Sequence, residues 1–291
     1  MAIVSDKRVL ALGFFDSVHI GHRYLLSQAK KVAKKEKARL TVITFNDNFL
    51  KNLNRAEKEI YLLKERLKIL KKLGYNDVIV LDPTKEFLSM SEDQFLEYIL
   101  TLNPTAIVAG KDYTFGKMGK GNMAYLSGYM LNKNVKVIEI NLQKVNLRKI
   151  STTHIKKLLS QGNIEKANCL LGENYFVSGR VTKGRGVGSR MGIPTANLTI
   201  NEMKHIPLDG VYKTTTEVDN MNYDSITNVG AHPTFEDEIN NIETMLIDKK
   251  LNLYNKDITV YFEKRIRDII KFETPEKLAN QIKQDIKKAY K

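Results

Sequence analysis

The spacing of apolar residues changes in kind partway along this chain, and that change limits what it can fold into. Through roughly the first 165 residues, short apolar runs alternate with amphipathic stretches at helical spacing. Residues 8–14, 39–45 (RLTVITF), 77–81 (DVIVL), 106–110 (AIVAG) and 135–140 (VKVIEI) read as strands. Residues 21–37 and 56–74 read as helices. In the first, Leu25, Leu26, Ala29, Val32 and Ala33 share one face with lysines opposite; the second stops at Gly74. Ser91 followed by Gln94 fits a capping box. Strands that alternate with helices pair in parallel through right-handed crossovers. The expected architecture is an open parallel α/β sheet with helices on both faces, whose ligands bind beyond the carboxyl ends of the strands.

After residues 163–175 the pattern becomes short candidate strands separated by Gly, Pro, Asn and Asp: FVSGRV, GVYKTTTEV, NYDSITNV, IETMLI and ITVYF. That is the signature of a small antiparallel barrel. A terminal amphipathic helix follows, with Thr274 as N-cap and Pro275 at its first position. The boundary falls near 165–175, giving domains 1–170 and 171–291.

The chain has 291 residues, 42% of them hydrophobic and 27% charged, as in an ordinary soluble protein. No apolar run approaches the ~18 residues of a membrane span, and the N-terminus does not read as a signal peptide. The single cysteine, Cys169, excludes an intrachain disulfide and points to a reducing, cytoplasmic setting. Its leucine neighbours predict that it is buried. The net charge of +14 suits a phosphate-rich substrate or a nucleic acid, but it is carried mainly by lysines along helix faces, and no nucleic-acid module is present.

The stretch GFFDSVHIGH, residues 13–22, lies where the first strand becomes a helix. Gly13 and Gly21 permit close backbone approach, the helix N-terminus favours an anion, and His19 and His22 add imidazole donors. Spacing alone leaves three readings open: phosphate binding, capping histidines, or part of a metal site. Zinc normally needs three or four protein ligands, and no Cys or His cluster nearby completes such a set. In the second half, Gly184, Gly186, Gly188 and Gly192 make a ligand-approachable loop before PTAN, whose Thr195 and Asn197 oxygens are hard ligands suited to Mg²⁺.

These stretches resemble a known family. GFFDSVHIGH is similar to the G-x-F-D-G-x-H-x-G-H pattern of α/β-phosphodiesterase nucleotidyltransferases. With GKDYTFGKMGKGN (110–122), TVITF (41–45) and ISTTHIKKLLSQGNIEKANCLLGENY (150–175), it resembles the bacterial riboflavin kinase/FMN adenylyltransferase family. GRVTKGRGVGSRMGIPTANL (179–198), NVGAHPTF (228–235) and the stretch from Ile242 onward resemble its kinase half. The resemblance implies a Rossmann-like nucleotidyltransferase domain followed by a kinase barrel, with ATP, FMN, FAD and riboflavin as substrates or products and Mg²⁺ as cofactor. It implies that ATP meets Gly13, Phe14, Asp16, His19, Gly21, His22, Ser151, Thr152, Thr153 and Lys156 in the first domain, and the loop of Gly184, Gly186 and Gly188 in the second. Phe45, Asn46, Asp112, Phe115 and Arg267 would meet flavin, Thr195 and Asn197 would hold Mg²⁺, and Glu243 would be the kinase base.

The chain departs from the pattern in places. Ser17 replaces a glycine, and TFNDNF replaces T-F-x-P-H-P. Ser189, His232, Met245 and Asn255 replace Arg, Arg, His and Gly of the kinase half. These departures leave open an adenylyltransferase with a weak or silent kinase. From another class, a flavin-sensing or nucleic-acid-binding regulator also stays open. The expected partners are flavins and ATP, with no nucleic acid and no membrane; oligomeric state is not legible.

Overall fold

The computed structural model describes residues 7–53, 57–141, 150–182, 194–230, 242–249 and 251–290. The chain divides into two compact units, Met1–Thr152 and Thr153–Lys291.

The first unit runs β1 (Arg8–Leu12), α1 (Ile20–Glu36), β2 (Arg39–Phe45), α2 (Phe49–Asn52), α3 (Leu63–Lys72), β3 (Val78–Leu81), α4 (Lys85–Ser89), α5 (Glu92–Thr101), β4 (Pro104–Gly110), α6 (Met123–Met130) and β5 (Lys136–Ile140). Its five strands are all parallel, in the order β3-β2-β1-β4-β5. The strand order therefore reverses direction between β1 and β4. One layer of core joins Leu10, Leu12, Ile43, Ile107 and Ala109 to Phe95, Leu96, Ile99, Leu126 and Met130. Helix α1 buries Leu25, Leu26, Ala29 and Ala33, the apolar stripe visible in its sequence.

Helix α3 begins at Leu63, well inside the predicted 56–74. Residues 57–62 are not helical, because they are drawn to the loop after β1. The Asp16 carboxylate accepts hydrogen bonds from the backbone N–H groups of Ile60 (2.8 Å) and Tyr61 (3.4 Å). The α3 N-terminus is then capped by other carboxylates: Leu62 N–H donates to Glu65 (3.0 Å) and Leu63 N–H to Asp47 (2.5 Å).

One buried cation ties these pieces together. Arg66 of α3 is fully buried. Its guanidinium donates to the Phe14 carbonyl (3.0 Å), the Thr44 hydroxyl (2.9 Å), Asp47 (3.3 Å) and the equally buried Glu59 (3.4 Å). It also lies 4.8 Å from the Phe14 ring centroid, within cation–π range. Asp47 of the departing TFNDNF stretch is thus a structural carboxylate.

The chain crosses into the second unit in α7 (Thr152–Ser160), followed by α8 (Ile164–Leu171), β6 (Phe176–Thr182), β7 (Ala196–Thr199), β8 (Gly210–Val218), β9 (Met221–Val229), β10 (Ile242–Leu246), β11 (Asp257–Arg267) and α9 (Pro275–Tyr290). Six antiparallel strands close a barrel, β10-β7-β6-β11-β8-β9. Strand β7 is not among the strands read from the sequence; it starts within PTAN, after the glycine loop, where no alternating apolar pattern is long enough to show it. The barrel interior carries a cluster of hydroxyls beside Tyr212 and Phe262. Thr214, Thr216, Ser225, Thr227 and Thr244 are buried and bond one another at 2.7–3.2 Å, so no hydroxyl is left unsatisfied among them.

Two further details differ from the sequence reading or explain it. Cys169 is exposed, because α8 buries Ile164, Ala167 and Leu171 and turns Cys169 away from that face. Asn255, which replaces a glycine of the family pattern, has φ +62°. Asparagine is among the few non-glycine residues that enter this left-handed region readily, which makes the replacement tolerable.

Replacing Arg66 with methionine leaves Glu59 as a buried carboxylate without its guanidinium. The expected loss is about 3–5 kcal/mol, read as a lowered urea midpoint; a loss under about 1 kcal/mol would show that the network is not needed.

Candidate active sites on the sheet and the barrel

The loop between β1 and α1 is held in a costly conformation. Phe15 and Val18 have φ of +54° and +40°, and for a β-branched residue such as Val18 this is a strained backbone. The surroundings over-determine it. The Phe14 carbonyl is fixed by Arg66 and by the Thr44 hydroxyl (2.7 Å), Asp16 is tied to residues 60 and 61, Arg23 Nε donates to the Val18 carbonyl (3.0 Å), and the Ser17 and Thr152 hydroxyls bond each other at 3.0 Å. A Cβ on Gly13 would stand 2.8 Å from the Phe15 ring, so that position needs glycine.

The result places both histidines at the head of α1. His19 is its N-cap: Nδ1 accepts from the His22 backbone N–H at 3.1 Å, leaving Nε2 as the ring's outer nitrogen. The rings of His19 and His22 stack 3.7 Å apart, and the His22 ring meets Phe15 edge-on at 5.3 Å. Burial pushes the His19 pKa down to about 4. Burial, then the neighbouring His19, holds His22 well below the usual histidine range. Both imidazoles are therefore neutral near pH 7. His22 Nδ1 is buried and has no hydrogen-bond partner among the described residues.

His22 lines a cavity of about 400 Å³ beyond the carboxyl ends of β1 and β4, at the point where the strand order reverses and α/β sheets bind nucleotides. Gly13, Phe14 and Phe15 form one wall; Gly110, Lys111, Asp112 and Tyr113 form the other. Of the expected flavin residues, Asp112 is on this wall. Phe45 stacks on Phe49 (4.1 Å), and Asn46 donates to Asp82 (2.9 Å). Phe115 is buried against Phe95 (5.2 Å). Thr152 meets the loop through Ser17, whereas Thr153 and Lys156 belong to the second unit. Arg267 is engaged elsewhere: it makes a two-pronged ion pair with Asp285 (2.8–3.0 Å), fastening α9 to β11.

On the barrel, Glu243 of β10 lies opposite Asn197 of β7 in the antiparallel register. One Glu243 oxygen accepts from the Thr195 hydroxyl (2.5 Å) and the Asn197 amide (3.3 Å). Three residues separated by up to 48 positions thus converge, and the register explains why. Met245, two residues on, is buried. Gly184, Gly186, Gly188, Ser189 and His232 lie outside the described residues. Sequence reasoning missed Arg66 and Glu59, whose charges look like any others on a lysine-rich helix.

A nucleotide-type crevice on a parallel sheet and a carboxylate–hydroxyl–amide cluster on a separate barrel define a two-unit, nucleotide-handling protein. Residues 3–154 match the FAD synthetase family and residues 171–291 the riboflavin kinase family. The chain is 35% identical over 290 residues to the bifunctional riboflavin kinase/FMN adenylyltransferase of Bacillus subtilis, covering 97% of this chain and 92% of that one. It is 32% identical to the protein of the same description from Listeria monocytogenes, covering 96% and 90%. A crystal structure described as a macrolide-efflux protein from Streptococcus pneumoniae superposes with a TM-score of 0.86 at 33% identity, covering 97% and 93%. This chain belongs to the bifunctional riboflavin kinase/FMN adenylyltransferase family.

The buried histidines make stability depend on pH. Because the folded His19 pKa lies below the ordinary 6.5, the unfolded chain takes up the proton first. Its contribution is complete above about pH 6.5 and disappears as pH falls towards 4, about 2 kcal/mol being lost at pH 5. Urea unfolding at pH 7 and pH 5 measures this. His19→Asn, which keeps a capping side chain, should reduce the difference.

Proposed function

We propose that this protein makes FAD in two steps: residues 171–291 phosphorylate riboflavin to FMN, and residues 1–170 transfer AMP from ATP to FMN, releasing pyrophosphate. Family membership over nearly the whole chain supports both steps. The observation that carries the second is His22, a buried imidazole whose Nδ1 lacks a partner among the described residues, on the wall of the β1/β4 crevice.

In adenylyl transfer an FMN phosphate oxygen attacks the α-phosphorus of ATP, and the bond to the pyrophosphate oxygen breaks. No covalent enzyme intermediate is required, so catalysis is positioning and charge stabilisation. The α1 N-terminus presents backbone N–H groups to an anion. His19 and His22, neutral when the site is free, donate ring N–H groups to phosphate oxygens. Gly13, Phe14, Asp16 and Gly21 fix the loop that aims them. Ser151, Thr152, Thr153 and Lys156 supply hydroxyls and an ammonium for phosphate. Asp112, Phe45, Asn46 and Phe115 shape the flavin side.

In the kinase step Glu243 takes the proton from the terminal ribityl hydroxyl, whose oxygen attacks the γ-phosphorus of ATP as the bond from that phosphorus to the bridging oxygen breaks and ADP leaves. The donor set beside Glu243 fits a hard cation: the Thr195 hydroxyl and the Asn197 amide carry oxygen ligands of the type Mg²⁺ takes. The remaining ligands of such a cation would be ATP phosphate oxygens. When bound, Mg²⁺ neutralises phosphate charge; the loop of Gly184, Gly186 and Gly188 would cover the nucleotide. Among the described residues no helix is long and apolar enough to cross a membrane. We infer that both steps take place in the cytoplasm, the reducing setting that the single cysteine suits.

Purified protein with ATP and Mg²⁺ should turn riboflavin into FMN and FAD, resolved by chromatography. His22→Ala should stop FAD formation while FMN still accumulates. Glu243→Gln should slow FMN formation about 10²–10⁴-fold and leave FAD formation from added FMN intact. FAD from FMN but nothing from riboflavin would show that Ser189, His232 and Met245 have cost the barrel its activity.

A further inference from the structure

The wall of the β1/β4 crevice carries a cation that the adenylyl-transfer account above does not use. Lys111 is the first residue beyond β4. Its backbone is fixed on both sides: its N–H donates to the Ile140 carbonyl (3.0 Å), and the Tyr113 N–H donates to the Gly110 carbonyl (3.0 Å). Lys111 is exposed and is one of the residues lining the cavity, and among the described residues its ammonium has no ion pair or hydrogen bond. Elsewhere in this unit Lys136 pairs with Glu36, and Arg8 and Arg39 pair with Asp77.

The charge balance of the crevice gives this lysine a task. Its lining includes one acidic side chain, Asp112, and one permanently charged base, Lys111. His22 adds no charge near pH 7, since burial keeps its imidazole neutral. Among the described residues, the lining without Lys111 would present a net negative charge to two polyanionic substrates. A cleft of one sign raises or lowers the local concentration of a charged ligand through its focused field. An ammonium on a flexible stem also offers three donors to phosphate oxygens, without the fixed fork of arginine.

We infer that Lys111 is a phosphate-binding cation of the crevice, offsetting Asp112 and contacting a phosphate of one of the two substrates. The inference rests on the adenylyl-transfer reading and deepens it. ATP and FMN carry the same chemistry at that point, and kinetics tells them apart.

The test is steady-state FAD formation by the full-length protein, with ATP and FMN varied in turn, for Lys111→Gln and Lys111→Arg. Lys111→Gln should raise the KM of the contacted substrate about tenfold or more, the size expected for one charge-assisted hydrogen bond. It should also flatten the dependence of that KM on salt. A rise for ATP alone assigns the contact to the nucleotide, and a rise for FMN alone assigns it to the flavin phosphate. Lys111→Arg should stay within about threefold, since the charge remains. Unchanged KM values for both substrates in Lys111→Gln would overturn the inference. Conversion of riboflavin to FMN by the same preparations, with an unshifted thermal transition, shows that the variants are folded. Absence of FAD formation in the unsubstituted protein would instead overturn the adenylyl-transfer reading itself.

Discussion

The Arg66 guanidinium is the interaction on which the rest of the sheet unit turns. Unpaired, such a charge has no place in an apolar interior; here its two terminal nitrogens donate to a carbonyl, a hydroxyl and two carboxylates, while Nε has no partner among the described residues. Each acceptor comes from a different piece of chain. Phe14 belongs to the loop after β1, Thr44 to β2, Asp47 to the turn after β2, and Glu59 to the approach to α3. The guanidinium therefore fixes relative positions that no single element controls. The most strained residues nearby, Phe15 and Val18, sit next to the carbonyl that it grips. Strain of this kind persists only where surrounding bonds over-determine the backbone, and Arg66 supplies one of those bonds beside the buried ones that Asp16 accepts.

The two candidate sites rest on different physics. In the sheet unit the site is a gap left by topology: helices depart in opposite senses from β1 and β4, and the space between their carboxyl ends stays open. What it offers a ligand is a helix terminus and imidazoles kept neutral by burial. In the barrel there is no such gap. The site is made by register, with Asn197 facing Glu243 across a pair of antiparallel strands and Thr195 reaching the same oxygen from just before β7. One site tolerates changes in the strands so long as the crossover geometry holds; the other fails if the pairing slips by a single residue, which would send Glu243 to the opposite face.

Much of this was legible before any coordinates, for identifiable reasons. The parallel sheet was visible because strands buried on both faces read as continuous apolar runs, and helix α1 because its stripe repeats at helical spacing. The histidine loop was visible because glycine, histidine and a strand-to-helix change coincide there. Arg66 and Glu59 were not, since a buried ion pair is spelled with the same letters as a solvated one. Helix α3 was drawn too long because periodicity carries no sign of Asp16 reaching across to pull residues 60 and 61 out of the helix. Cys169 was misjudged by its leucine neighbours: adjacent residues on a helix point about 100° apart, so neighbours in sequence say little about shared burial. The convergence of Thr195, Asn197 and Glu243 rests on a strand too short to be seen, although each residue had been singled out.

The pairing of the barrel strands also bears on how the chain is made. All five strands of the sheet lie before residue 141, so that unit has its full complement of partners while the ribosome is still adding the remainder. The barrel is different. Its first strand, β6, pairs on one side with β7 and on the other with β11, the last strand to emerge. Until residue 267 has left the exit tunnel, β6 and β8 each keep an open edge towards the missing neighbour. Open edges recruit strands from other chains, so translation of the segment between β6 and β11 is the interval in which this protein is most exposed to misassembly.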